Sequence, residues 1–167
     1  MATYCTIDDV KNIVPDSVHI GTNLQNRNTN VTEAKVEYWI EQSASIIDAD
    51  ISSFYRIPLI KYKEADFSEN PVTFTEKYPN PIPLINARLT AAYIYDHIMS
   101  AQQEPNVSDF AKNQRSLAYD DLLKIQIGSI QLKNQVRTGL RFVRQELHDP
   151  SRIPVKEVQP PNRGSGE

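Results

Sequence analysis

The sequence predicts a mainly α fold: a small helical bundle with a long loop or short β-hairpin inserted in it and an extended C-terminal arm. Three observations carry this. Apolar residues recur three and four apart along two long stretches, 36–54 and 84–99, as the buried faces of helices do. Between them, from Lys61 to Pro81, the periodicity breaks around Pro71, Pro79 and Pro81. After Leu132 the chain turns basic and is punctuated by Pro150, Pro154, Pro160 and Pro161. The expected organisation is therefore a helical core over 1–132, with its insertion at about 61–82, and an arm over 133–167 whose end, from Asn162 to Glu167, has the composition of a flexible tail.

A chain of 167 residues, 40% hydrophobic and 23% charged, has the size and composition of one globular domain. Its one cysteine, Cys5, excludes an internal disulfide, and no apolar run reaches the ~18 residues of a membrane helix. Met1-Ala2-Thr3-Tyr4 shows no basic segment leading into an apolar one, so synthesis and assembly in a cytoplasm are expected. The net charge of −3 is unevenly spread: residues 133–167 hold seven basic and four acidic side chains, a balance of +3, which leaves −6 on the first 132. An acidic body with a basic tail suits docking on neighbouring copies or on another acidic surface, and equally suits an ordinary solvated tail.

Thr6 before Ile7-Asp8-Asp9-Val10 predicts a capped short helix that Pro15 stops. Residues 16–31, rich in Asn and Thr, read as loop. Thr32 is placed to cap the strongest helix, whose stripe is Val36, Trp39, Ile40, Ser43, Ala44, Ile47, Ile51 and Phe54. Its polar side carries Glu33, Glu37 and Glu41, like charges four apart that repel by roughly 0.2 to 0.5 kcal/mol a pair, offset only near the helix start by the dipole. Such a row faces a cationic neighbour or an aqueous channel, or is simply a solvated face, which is the commoner case.

Within the insertion, alternating Val72-Thr73-Phe74-Thr75 predicts a short strand or hairpin. Pro83 suits the first turn of the next helix, with Leu84, Ile85, Leu89, Ala91, Ala92, Ile94, Tyr95, Ile98 and Met99 inside. Apolar residues over more than half the circumference predict a central helix, and Ala91 and Ala92 permit close approach. Tyr93 and Tyr95 read as packing residues. Pro105 ends this element and Ser108 is placed to cap a last helix, with Phe110, Leu117, Ala118, Leu122 and Ile125 inside and Gly128 as its stop. Ser129-Ile130-Gln131-Leu132 alternates as a short strand does. Arg137, Arg141 and Arg144 beside Leu140, Val143 and Leu147 fit either a partner-dependent helix over 136–147 or an extended arm.

Little in the chain suggests catalysis. Five glycines, at 21, 128, 139, 164 and 166, make neither a dinucleotide-binding turn nor a phosphate-cradling loop. His19, His97 and His148 lie in unlike contexts, and with a single cysteine no metal-ligand spacing arises. Asp96 and His97, like Asp8-Asp9 and Asp120-Asp121, are neighbours whose side chains diverge on a helix. No serine sits in a G-x-S-x-G frame. The expectation is no enzyme, no cofactor, no metal and no catalytic residue. The acidic body also argues against a DNA-binding surface, the tail arginines being a weak exception.

The stretch after the long helix, Phe54-Tyr55-Arg56-Ile57-Pro58-Leu59, is a corner: Pro58 holds its own backbone fixed and Ile57 out of the helical region. Phe54 or Tyr55 anchors it on the bundle. Arg56 either satisfies carbonyls at the helix end or pairs with an acid on a neighbour, and the corner as a whole is either a loop brace or an interface.

Together with Ala44, Ile47-Asp48-Ala49, Ala91-Ala92-Tyr93-Ile94-Tyr95 and Ile127-Gly128-Ser129-Ile130-Gln131-Leu132, this corner resembles the head-tail connector (adaptor, head-completion) proteins of tailed bacteriophages over residues 3–132. Ile57 stands where an aromatic is common in them; the insertion and the tail are departures. The resemblance implies a ring, typically dodecameric, beneath the portal protein in the virion neck, which extends the DNA channel and docks stopper or tail-completion components. Viral DNA would pass without sequence-specific binding, and no membrane is involved. It further implies a portal-binding arm, for which Arg137, Arg141, Phe142, Arg144, Arg152 and Lys156 are the candidates. Phe54, Tyr55, Arg56 and Pro58 are candidate corner contacts, and Glu33, Glu37 and Glu41 candidate lumen acids. A cellular helical-bundle scaffold, or a small enzyme of unknown type, is the alternative reading.

Overall fold

The computed structural model describes residues 3–22, 30–68, 71–101 and 109–138, in which four helices and two two-stranded sheets form a mainly α domain with a hairpin insertion. Thr6 opens α1 (Ile7–Lys11): its hydroxyl accepts the Asp9 N–H at 3.2 Å while the Asp9 carboxylate accepts the Thr6 N–H at 2.8 Å. Residues 16–31 are not all loop. β1 (Ile20–Gly21) pairs in parallel with β2 (Val31–Thr32), because the N–H groups of Asn30 and Val31 both turn to the His19 carbonyl and Val31 is buried. Residues 23–29 lie outside the described residues.

α2 (Glu33–Ile51) follows β2 directly. Thr32 holds the cap position with extended backbone, yet its hydroxyl makes no capping bond. Val36, Trp39, Ile40, Ser43, Ala44, Ile47 and Ile51 are buried, as their spacing predicts, whereas Phe54 lies beyond the helix in the turn that follows and is half-buried. The insertion is a hairpin of β3 (Tyr62–Asp66) antiparallel to β4 (Thr73–Lys77), with Tyr62 opposite Lys77 and Ala65 opposite Phe74. Tyr62 at its base is buried, and every residue of β4 is exposed.

α3 (Ile82–Ala101) packs against α1, α2 and α4 (Asp109–Ile127), so it is buried round most of its circumference: Ile82, Ile85, Ala87, Leu89, Ala91, Ala92 and Ile94 are all inside. Pro83 falls in its first turn. Leu84, expected inside, is 43% exposed, about 100° round the helix from buried Ile85. On α4, Ala111, Ala118, Leu122 and Ile125 are buried, and Leu117, also expected inside, is 38% exposed, about 100° round the helix from Ala118. Phe110 stacks on Tyr95 with ring centres 4.4 Å apart. Ser108 and the Met99 side chain lie outside the described residues.

Gly128 ends α4 at φ 82°, a value that suits glycine because it has no Cβ. The strand expected at 129–132 does not form. The Ile130 N–H turns back to the Lys124 carbonyl and the Leu132 N–H goes to a tyrosine hydroxyl, so no neighbouring strand is needed to satisfy them. The helix considered over 136–147 is likewise absent at its start: Val136 to Thr138 are extended and Arg137 bridges antiparallel to Tyr55. Residues 139–147 lie outside the described residues.

The core has two apolar clusters joined by a polar waist. Ala44, Ile47, Ile51, Ile82, Ile85, Leu89, Leu122 and Ile125 belong to one, and Val10, Val36, Trp39, Ile40, Ala91 and Ile94 to the other. At the waist the Thr90 hydroxyl lies 2.9 Å from the Asn86 carbonyl and 3.3 Å from the Ser43 hydroxyl. The Asn86 amide is oriented to donate to the Ile40 carbonyl at 3.2 Å and to accept the Tyr4 N–H at 3.1 Å. All three waist residues are fully buried, and each is satisfied inside the protein, as burial of a polar group requires. Truncating Ile47, fully buried in the first cluster, to alanine is expected to lower stability by about 2 to 5 kcal/mol, whereas Leu84→Ala is expected to shift it by less than about 0.5 kcal/mol; urea unfolding midpoints at unchanged slope measure both.

Candidate functional site

The corner that follows α2 is where the chain's separate segments meet. The N–H groups of Phe54 and Tyr55 both turn back to the Ile51 carbonyl, which tightens the helix end, and the Ile57–Pro58 peptide is cis. Tyr55 is only 1% exposed, and its hydroxyl accepts both the Leu132 N–H at 3.3 Å and the Arg137 Nε–H at 3.0 Å. The Arg137 guanidinium also lies 5.2 Å from the Tyr55 ring centre, a cation–π contact.

The backbone completes a clasp around this side chain. Arg56 N–H donates to the Val136 carbonyl at 2.9 Å and Thr138 N–H to the Phe54 carbonyl at 3.0 Å. The Thr138 hydroxyl donates to the Ser53 carbonyl at 3.0 Å. The Gln135 side chain acts as a further strand rung, accepting the Ile60 N–H at 3.0 Å and donating to the Ile60 carbonyl at 2.8 Å. Residues 132–138 are thereby fastened along residues 53–60.

A second tyrosine ties the N-terminal segment to the same place. The Tyr4 hydroxyl donates to Asp48 of α2 and accepts the Leu59 N–H at 3.3 Å, and its ring meets Tyr78 edge-on at 4.9 Å. Burial, followed by the bond to Asp48, raises the Tyr4 hydroxyl above the usual phenol range. Three cations lie over rings round the corner: Arg137 on Tyr55, Lys61 on Tyr78 and Lys133 on Tyr62. Arg56 is different. Its side chain is exposed and makes no ion pair among the described residues, and Ile57 (38% exposed), Ile60 (61%) and Val136 (59%) are exposed in the same two segments.

The acidic residues gather at the other end of α2, where an open groove of about 410 Å³ between the α1 segment and α2 is lined by Cys5, Asp8, Ile40, Glu37 and Glu41, among others. Glu33 is half-buried and pairs with Lys11 at 3.7 Å, and Asp8 pairs with the same lysine at 3.6 Å. Glu37 and Glu41 are exposed and make no ion pair among the described residues. Cys5 at the groove floor is buried, which pushes its thiol up to about 12.

Of the candidate corner residues, Tyr55 is buried, Phe54 half-buried, and Arg56 and Pro58 exposed. Of the candidate arm residues the structure describes Arg137 alone; Arg141, Phe142, Arg144, Arg152 and Lys156 lie outside the described residues. Arg137 meets the corner, whereas Glu33, Glu37 and Glu41 form a separate surface on the first part of α2. Tyr4, Asp48, Gln135 and Thr138 were not singled out from sequence as contacts, and no local pattern announces pairings across 44 to 85 residues. Asp96 pairs with Arg115 rather than with His97, which sits edge-on to Trp39 at 5.2 Å. Among the described residues there is no cluster of three or more His, Cys, Asp and Glu able to hold a metal ion, and no helix long and apolar enough to cross a membrane.

No protein-family model matches the chain, and no curated protein or solved structure matches it.

Tyr55→Phe removes the acceptor of two donors and is expected to cost about 1 to 3 kcal/mol and to speed tryptic cleavage after Lys133 and Arg137, read from a digestion time course. An unfolded thiol ionises near 9.0 and the folded Cys5 near 12, so the unfolded chain loses this proton first. Stability is therefore expected to fall as pH rises between those values, less steeply in Cys5→Ala, as thermal unfolding at a series of alkaline pH values would record.

Proposed function

We propose that this chain is a head-tail adaptor of a tailed bacteriophage, a structural virion protein that forms a ring beneath the portal, extends the DNA channel and offers its outer face to stopper or tail components. The observation that carries the reading is the clasp at the corner. An adaptor must hold a partner through a segment that reaches away from its body, and a reaching segment transmits force only if its root is fixed. Here the root, residues 132–138, is held by the Tyr55 hydroxyl, two backbone rungs and the Gln135 amide, and the basic residues that follow it in sequence are the proposed portal-binding arm. The corner that supplies the clasp is the same Phe54-Tyr55-Arg56-Ile57-Pro58-Leu59 stretch on which the resemblance to connector proteins rests.

The helical core supports this role in a second way. α3 is enclosed by three other helices, so the subunit is a rigid block able to stack in a ring without rearranging. The mild charge of the whole suits a channel wall past which DNA slides.

A cryo-EM reconstruction of the virion vertex tests the proposal. The expected result is a ring of this chain between portal and tail, with residues 139–167 in density against the portal. A particle from which the chain is missing would overturn the adaptor reading and favour a helical scaffold that works outside the virion.

A further inference from the structure

Arg56 and the acid groove are two surfaces of one chain that do not pair with each other. Arg56 lies beyond the last turn of α2, and from Glu41, the groove acid furthest along the helix, to Ile51 the helix rises about 15 Å. We infer that the corner of one copy docks in the groove of the next, with Arg56 entering between Glu37 and Glu41 on one wall and Asp8 on the other. The inference rests on the reading of the chain as a ring subunit and names the contact between neighbours.

Charge complementarity selects a second copy as the occupant. Lys11 is shared between Asp8 and Glu33, which leaves Glu37 and Glu41, one turn apart on the same face, without a cation of their own among the described residues. At the corner, Arg137, Lys61 and Lys133 are each laid over a ring, while the Arg56 guanidinium has no carboxylate. A guanidinium presents a flat fork of donors that matches a carboxylate two bonds at a time, so one arginine can engage both glutamates. The apolar parts match as well: Ile57, Ile60 and Val136 are exposed at the corner, and Ile40 and Cys5 line the groove.

The corner is also prepared for the contact. Its backbone is held by rungs on both sides of Tyr55, at Phe54 and at Arg56, so ordering this surface on association carries little entropic penalty. Because groove and corner are different surfaces, the association is head-to-tail, and a head-to-tail contact that closes on itself makes a ring. This assigns Glu37 and Glu41 to a cationic neighbour rather than to the lumen, and leaves Glu33 as the partner of Lys11.

The test is a charge exchange on the full chain. Arg56→Glu in one protein and the pair Glu37→Arg, Glu41→Arg in another are followed by sedimentation velocity over a concentration series, with circular dichroism to confirm folding. The wild-type chain is expected to self-associate, more weakly at high salt, and each variant alone to associate about tenfold less tightly or worse. An equimolar mixture is expected to restore association, since each junction then joins one acidic and one basic surface. Variants that associate like the wild type, or a mixture no better than its parts, would overturn the inference. So would a wild-type chain that stays monomeric at millimolar concentration, and that result leaves the neck assignment to be decided separately by the particle reconstruction.

Discussion

Burial of the Tyr55 hydroxyl is the constraint from which the rest of the corner follows. A phenol ring placed one residue after a tight helix end, and almost wholly enclosed, brings an oxygen into the core that must find donors there. It finds them in the Leu132 N–H and the Arg137 side chain, from a segment more than 70 residues away in sequence. That choice draws residues 132–138 across the corner and aligns them antiparallel to 54–56. The tyrosine thus decides a topological feature, the path of residues 132–138, through a local need for hydrogen bonds.

The same logic operates at the waist between the two apolar clusters. Ser43, Asn86 and Thr90 would be liabilities in an apolar core if any of their polar atoms went unpaired, but the geometry closes each bond inside the protein and uses the Asn86 amide to hold the N-terminal segment through the Tyr4 N–H. Tyr4 then reaches Asp48 and the Leu59 N–H, so waist and corner are linked through one short stretch before α1. Side chains that satisfy each other in this way favour one packing of α2 against α3 over its neighbours in register, because a slip by one turn would orphan several buried groups at once.

Charge is arranged along the same axis. Asp8, Glu33, Glu37 and Glu41 lie on α1 and the first half of α2 and the cations Lys61, Lys133 and Arg137 round the corner, where they are held over aromatic rings while Arg56 is not. For an adaptor, such polarity would join assembly to architecture: the rigid corner that roots the arm would also be the surface presented to the adjacent subunit, so that ring closure and arm placement share one set of backbone bonds.

Much of this fold was legible in the sequence, because the helices are specified by residues close to one another along the chain. The stripe from Val36 to Ile51, the Thr6 cap, Pro83 in the first turn of α3, Gly128 as the stop of α4 and the alternation at 72–75 are patterns of three- and four-residue spacing, capping chemistry or period two, and each element lies where its pattern predicts. The misreadings have a common cause. Leu84 and Leu117 carry apolar side chains on partly exposed sectors of their helices, the strand considered at 129–132 has backbone donors claimed by distant groups, and of the two readings of 136–147, helix or extended arm, the described start at 136–138 is extended. The candidate site was legible in its parts: the corner, Arg56 and the glutamate row could be named from residue type and spacing. Periodicity along the chain determines helices and their inner faces; which buried oxygen receives which N–H, where the arm is rooted and which charges remain unpaired depend on contacts between remote segments, and only tertiary packing decides those.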